Sequence, residues 1–215
     1  MPIRENREYR EMPLLTLPGE GNQPRLASDY YVEGYATTFE NPYILLDDGT
    51  SKFYEVIDRN AFAGADMSDV VFLRDHTGKC FARTRMKQGK DPTLILEPDE
   101  HGLFVAADLG ITAEGREEWH AITAGLIYQM SFAFTVAEDD ITMINDTDYM
   151  RRILSFRKVY DVSSVALPAN PGTVIDAATR TAFDGFIAKR QLELADIERR
   201  RKQKQRIRIM LEVNR

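Results

Sequence analysis

A serine, a histidine and an aspartate lie far apart in this chain of 215 residues: Ser131 in "GLIYQMSFAF", His76 in "VVFLRDHTGK" and Asp161 in "RKVYDVSSVALPANP". Together these residue types can cleave an acyl bond. A hydroxyl is a weak nucleophile at neutral pH, so it needs a base hydrogen-bonded to it, and the base needs a third group to hold its tautomer. Separation in sequence is no obstacle, because strands bring remote positions together. Taken singly, each residue has an ordinary reading. Ser131 reads as a solvent-side strand serine, His76 as a loop histidine, and Asp161 as a carboxylate paired with Arg157, Lys158 or water. Cys80, shortly after His76, offers a Cys–His alternative, although a small apolar packing role at a strand start fits it as well. His101 in the turn "DEHG" and His120 beside Trp119 are weaker candidate bases.

Alternation along strands sorts these side chains by face. Met130, Phe132, Phe134 and Val136 share one face, which should be core, and leave Gln129, Ser131, Ala133 and Thr135 on the other. Val70, Phe72, Arg74 and His76 share a face, with Asp75 pointing away from them and so badly placed to orient His76. Val159, Asp161, Ser163 and Val165 share a face of the last strand, where a buried carboxylate would need a partner.

The elements that must position these residues are mostly strands. "DYYVEGYATTF", "SKFYEVI", "DVVFLRDH" and "GLFVAADL" read as strands, and "CFARTRM" and "TLILEPD" as a strand pair. "NPYILLDDG" reads as a turn signalled by Asp48-Gly49, and "DRNAFAGA" as the start of a helix capped at Asp58 or Asn60. "TAEGREEWHAITAGLI" has Trp119, Ile122 and Leu126 at helical spacing behind a cap at Thr112. "YQMSFAFTV" is a strand, "AEDDITMINDTD" an acidic insertion, and "YMRRILSFRKVYDVSSVAL" at least one long strand, stopped by "PANPG". From residue 173 the chain lacks turn signals apart from Gly185, and "IAKRQLELADIERRRKQKQRIRIMLEV" reads as a long charged helix. The fold class is therefore α+β and strand-dominated, a small barrel or sandwich with an interior helix and a helical C-terminal tail.

Composition bounds the classes. A hydrophobic share of 43% and a charged share of 29% are those of a globular chain. No apolar run is long enough to span a bilayer, and the N-terminus lacks the apolar segment of a secretory signal. One cysteine excludes an internal disulfide. Metal-binding and phosphate-loop spacings such as C-x-x-C, H-E-x-x-H and G-x-x-x-x-G-K-[ST] are missing, so neither a metal nor another cofactor is expected. Residues 186–215 hold 10 Lys/Arg and 4 Asp/Glu, a balance of +6; against a net charge of -6 the remainder carries -12. The basic tail lacks interleaved aromatics and the body is acidic, so nucleic acid is not the expected partner. The expected organisation is a flexible arm over 1–28, one domain over 29–175, and a charged helical tail over 176–215.

Six segments in order resemble the prohead, or capsid maturation, proteases of tailed bacteriophages, relatives of the herpesvirus assemblins. They are "VEGYATTFE", "YEVIDRNAF", "VVFLRDHTGK", "LILEPDEHGLFVAADL", "GLIYQMSFAF" with its Gly-x-x-x-x-x-Ser-Phe-x-Phe pattern, and "YDVSSVALPANP". The resemblance covers about Val32 to Pro171. The pattern departs at the histidine, commonly Asn-His-Asp in the family and "RDHT" here, and in the acidic stretch between Ala137 and Asp148.

The resemblance implies a barrel of the herpesvirus-protease type and a serine endopeptidase. Ser131 would be the nucleophile, His76 the general base and acid, and Asp161 the residue that orients His76. In the relatives backbone amides after the last strand bind the oxyanion, which here implicates the region of Leu167, Ala169 and Asn170. The implied substrates are the major capsid protein or a scaffold segment, cut inside the immature capsid in the host cytoplasm, with self-cleavage that removes the tail. The assemblin side implies a homodimer. A rival reading keeps the fold as an inactive scaffolding factor.

Overall fold

The computed structural model describes residues 7–13, 15–16, 23–166 and 177–213. The larger unit, up to residue 176, is built from two sheets around one core. Its strands in chain order are β1 (Glu8–Pro13), β2 (Leu15–Thr16), β3 (Tyr31–Thr38), β4 (Tyr43–Asp47), β5 (Lys52–Ile57), β6 (Val71–Arg74), β7 (Thr77–Arg83), β8 (Leu94–Pro98), β9 (Gly102–Asp108), β10 (Gln129–Met143) and β11 (Tyr149–Val165). A short 3-10 turn covers Lys87–Gly89, and helix α1 spans Ala113–Thr123. One sheet has seven strands, in the order β1-β10-β11-β5-β4, with β6 on β11 and β7 on β6. The other runs β2-β3-β9-β8. Both are open: among the described residues no strand pairing closes either into the expected barrel.

The organising element is β11. At its N-terminal end Tyr149–Ile153 pairs in parallel with β5; toward its C-terminal end Asp161–Ser164 pairs in parallel with β6; along its other edge it runs antiparallel to β10. Irregularities in the β10–β11 register between Ala133 and Asp139 bend this long ribbon. The core between the sheets takes Val32, Leu103 and Val105 from one and Phe72, Met130, Phe132, Phe134, Ile153 and Phe156 from the other. Phe132, Phe134 and Phe156 are mutually stacked or edge-on at centroid distances of 4.7–5.8 Å, which fixes the strand that carries Ser131. Gly102 is required by a close approach, since a Cβ there would lie 2.0 Å from the Thr37 carbonyl oxygen on β3.

Several sequence expectations are corrected. Glu8–Pro13 is not part of a loose arm but an edge strand on β10, held by a buried ion cluster. Arg10 Nη2 donates to Glu8 Oε2 at 2.8 Å and to Glu55 Oε2 at 2.7 Å. Arg151 Nη2 donates to Glu8 Oε1 at 2.9 Å, and Arg151 Nε to Asp139 at 2.6 Å. Tyr43 adds its hydroxyl to Glu55. Burial alone would push the Arg10 guanidinium toward neutrality, but the Glu55 carboxylate overrides this and holds its pKa well above the usual value.

Tyr43–Asp47 is a strand, with the turn confined to the residues after it, where the Asp48 carboxylate accepts the N–H groups of Thr50 and Ser51. The segment from Asp58 makes successive i to i+3 turns through Ala61, Ala63 and Ala65 rather than a helix. Here Asp58 caps only a turn, accepting the Asn60 N–H at 2.9 Å. β7 and β8 lie in different sheets and are not a pair, because β7 returns along β6 and β8 along β9. The acidic insertion is the far half of the β10–β11 hairpin, closed at Asn145–Asp148, where the Asn145 carboxamide oxygen accepts the Thr147 and Asp148 N–H groups. Thr112 does cap α1, accepting the Gly115 N–H at 3.0 Å.

The smaller unit is α2, a helix over Ala177–Val213. Its charges pair along the helix, as in Arg190 with Glu193, Arg199 and Arg200 with Asp196, and Lys202 with Glu198.

Candidate active site

Ser131 on β10, Asp161 on β11 and His76 in the turn between β6 and β7 converge. His76 Nε2 lies 2.7 Å from Ser131 Oγ, and His76 Nδ1 lies 2.5 Å from Asp161 Oδ1. A carboxylate only accepts, so the proton of a neutral imidazole belongs on Nδ1, and Nε2 offers its lone pair to the Ser131 hydroxyl. That is the geometry through which a hydroxyl loses its proton as it attacks an electrophile.

Each position follows from local structure. Ser131 stands on β10 opposite Ser163 of β11, and Asp161 stands opposite Ala133. Met130, Phe132 and Phe134 point into the core as alternation required. The ordinary reading of Ser131 as solvent-facing fails, since the residue has no exposed surface.

His76 does not continue the face of β6. It occupies the tight turn between β6 and β7, with φ of 47° at Asp75 and 55° at His76. Two successive residues with positive φ between the paired Arg74 and Thr77 make a two-residue turn of type I′ character, whose twist matches that of the flanking strands. Left-handed backbone is uncommon for any residue that carries a Cβ, and two such residues in succession need holding from outside. β11 supplies the hold. The Asp75 N–H donates to the Ser164 carbonyl at 2.9 Å, and the His76 N–H donates to Ser163 Oγ at 3.2 Å. The Asp75 carboxylate accepts the Ala166 N–H at 3.2 Å. Asp75 thus fastens the turn to β11 and has no part in orienting the imidazole.

Asp161 is buried, with its side chain 4% exposed, and its partner is the imidazole rather than a cation of its own strand. Lys158 is engaged with Asp66 instead. The Tyr9 ring on β1 meets the His76 ring edge-on at 4.6 Å between centroids, which limits how the imidazole can tilt.

On the other side of β11, Ser164 Oγ donates to the buried Glu118 of α1 at 2.6 Å, and Arg74 Nε lies 3.4 Å from the second Glu118 oxygen. Sequence reading missed Tyr9, Glu118 and the role of Ser163. Only the last left a signal, as a polar residue sharing the Asp161 face.

Cys80 is not in this arrangement. Its Sγ donates to the Ala82 carbonyl at 3.2 Å, and partial covering of the thiol pushes its pKa up, away from a reactive thiolate. His101 and His120 serve as ring partners of Tyr35 and Trp119. Leu167, Ala169 and Asn170, the expected oxyanion region, lie outside the described residues.

The family model for the caudovirus prohead serine protease matches residues 22–184. The chain belongs to that family. No curated protein and no solved structure gives a match. Membership makes this a serine-peptidase chain of the capsid-maturation type, and the matched span contains β3 to β11 with all three residues of the hydrogen-bonded relay. No helix among the described residues is long and apolar enough to cross a membrane.

Proposed function

We propose that this chain is an endopeptidase that cuts capsid or scaffold protein during prohead maturation and also cuts itself. One observation carries the reading: the unbroken relay from Ser131 Oγ through His76 to Asp161, at 2.7 and 2.5 Å, in a member of a serine-protease family. Ser131 Oγ attacks the scissile carbonyl carbon and its proton passes to His76 Nε2. The C–N bond then breaks as His76 returns that proton to the leaving amine, which leaves an acyl-serine. Water repeats the sequence, His76 taking its proton and Ser131 regaining one as the acid departs. Asp161 holds the Nδ1 proton in place and stabilises the imidazolium between steps. Backbone amides in the stretch of Leu167, Ala169 and Asn170 are the proposed oxyanion donors.

Full burial of Ser131 is consistent with a latent enzyme, since a scissile bond can reach the hydroxyl only after whatever covers it moves. Latency suits a protease made in the same cytoplasm as its substrates and meant to act inside the immature capsid. The basic helix α2 is the proposed anchor to capsid or scaffold protein, and the proposed segment released by self-cleavage.

The test is co-expression with the cognate capsid protein, with products read by mass. Ser131→Ala should abolish cleavage of both capsid protein and protease, while Cys80→Ala should cleave as wild type does. Processing that survives Ser131→Ala overturns the reading and favours a scaffolding role for the fold.

A further inference from the structure

Ser163 lies where the acid, the base and the strained turn meet. Its Oγ donates to Asp161 Oδ1 at 2.9 Å, accepts the His76 backbone N–H at 3.2 Å, and stands 3.3 Å from His76 Nδ1. The residue is fully buried. A serine hydroxyl has one proton and two lone pairs. Its proton goes to Asp161, one lone pair takes the turn amide, and the second faces the Nδ1 proton alongside Asp161. All three capacities are used within one site, on groups from β11 and from the β6–β7 turn. Ser164, the next residue, points to the opposite face and holds Glu118.

We propose that Ser163 is a positioning residue of the relay. It fixes the Asp161 carboxylate and the Nδ1-protonated tautomer of His76 together, so that Nε2 stays basic toward Ser131. This rests on the reading of Ser131 and His76 given above.

Two consequences follow from the geometry. First, the donor from Ser163 draws charge from Asp161 Oδ1. Without it Oδ1 is free to turn away from Nδ1, and the Nδ1-protonated tautomer loses its fixed acceptor. Tyr9 from β1 and Ser131 from β10 also meet the imidazole, and a substitution at Ser163 removes neither contact. Second, the His76 amide loses the Ser163 acceptor that fastens the turn, so the imidazole gains freedom to rotate away from Ser131.

The experiment compares wild type, Ser163→Ala, Ser163→Cys and Ser131→Ala in full-length protein. Cleavage of a capsid-derived peptide is measured as kcat and KM across pH, and the His76 ring nitrogens are followed by NMR. Ser163→Ala should lower kcat by about tenfold to a hundredfold with KM nearly unchanged. The NMR signals should show a mixture of tautomers in place of one. Ser163→Cys fills the same space with a poor donor; it should show the same changes and carries the test should the alanine variant fail to fold. Wild-type kcat and tautomer in either folded variant overturn the proposal. Undiminished cleavage by Ser131→Ala would instead overturn the nucleophile assignment, and the NMR arm would still report on Ser163.

Discussion

At the residue scale, the proposed mechanism divides labour between groups that react and groups that hold. Asp161 is the clearest member to test, because its carboxylate is buried and meets the imidazole directly. Asp161→Asn keeps the shape but offers an amide where a carboxylate stood, which favours the wrong tautomer. A loss in kcat of about 10⁴-fold is expected with the far-UV spectrum unchanged; a rate within a few-fold of wild type would remove Asp161 from the mechanism. The identities of Ser131, His76 and Asp161 were legible in the sequence only through their ordered company of motifs. Local pattern left Ser131 looking like a surface serine, since alternation separates two faces but does not say that both are covered. The positive φ of His76 was not legible at all. A type I′ turn is usually announced by Asn-Gly or Asp-Gly, and "DH" carries no such signal. Contacts from β11, made far along the chain, impose the conformation.

At the element scale, β10 and β11 were both found, β11 at nearly its full length, while the length of β10 was missed. The acidic half of the ribbon looks like a loop because its outward side chains are charged, yet its register with β11 continues from Glu138 to Met143. β1 was missed for a related reason. A strand bearing Glu8 and Arg10 shows no apolar face, and its burial depends on Glu55 and Arg151 from distant strands. That cluster is a matched set of charges in the interior, and removal of one member leaves its partners buried without compensation. Arg10→Ala is expected to destabilise the fold by about 3–5 kcal/mol in urea titration. A change below 1 kcal/mol would mean that the cluster is solvated and that β1 is only loosely docked. Because β1 lies along the strand of Ser131 and places Tyr9 against His76, weakening it should also lower activity before global unfolding.

At the scale of the whole molecule, charge separates the parts: the acidic body carries the relay, and the tail carries the positive excess. Ending the chain after residue 184, the limit of the family match, should leave hydrolysis of a short peptide within a few-fold of the full chain. It should reduce recovery of the protease inside assembling capsids. Equal encapsidation of the two forms would deny α2 its proposed anchoring role.

The topology also sets a timetable. His76 precedes Ser131 in the chain and Asp161 follows both, on the strand that pairs with β10, β5 and β6. As the chain leaves the ribosome at roughly 5–20 residues per second, His76 and Ser131 emerge first. Until the Asp161–Ser164 stretch arrives, β6 has no inner partner, the turn has nothing to fasten it, and the imidazole has no acid. Under the proposed function a nascent chain therefore cannot digest its neighbours on the same message, and the first moment at which it could cut anything comes after almost all of the larger unit has been made.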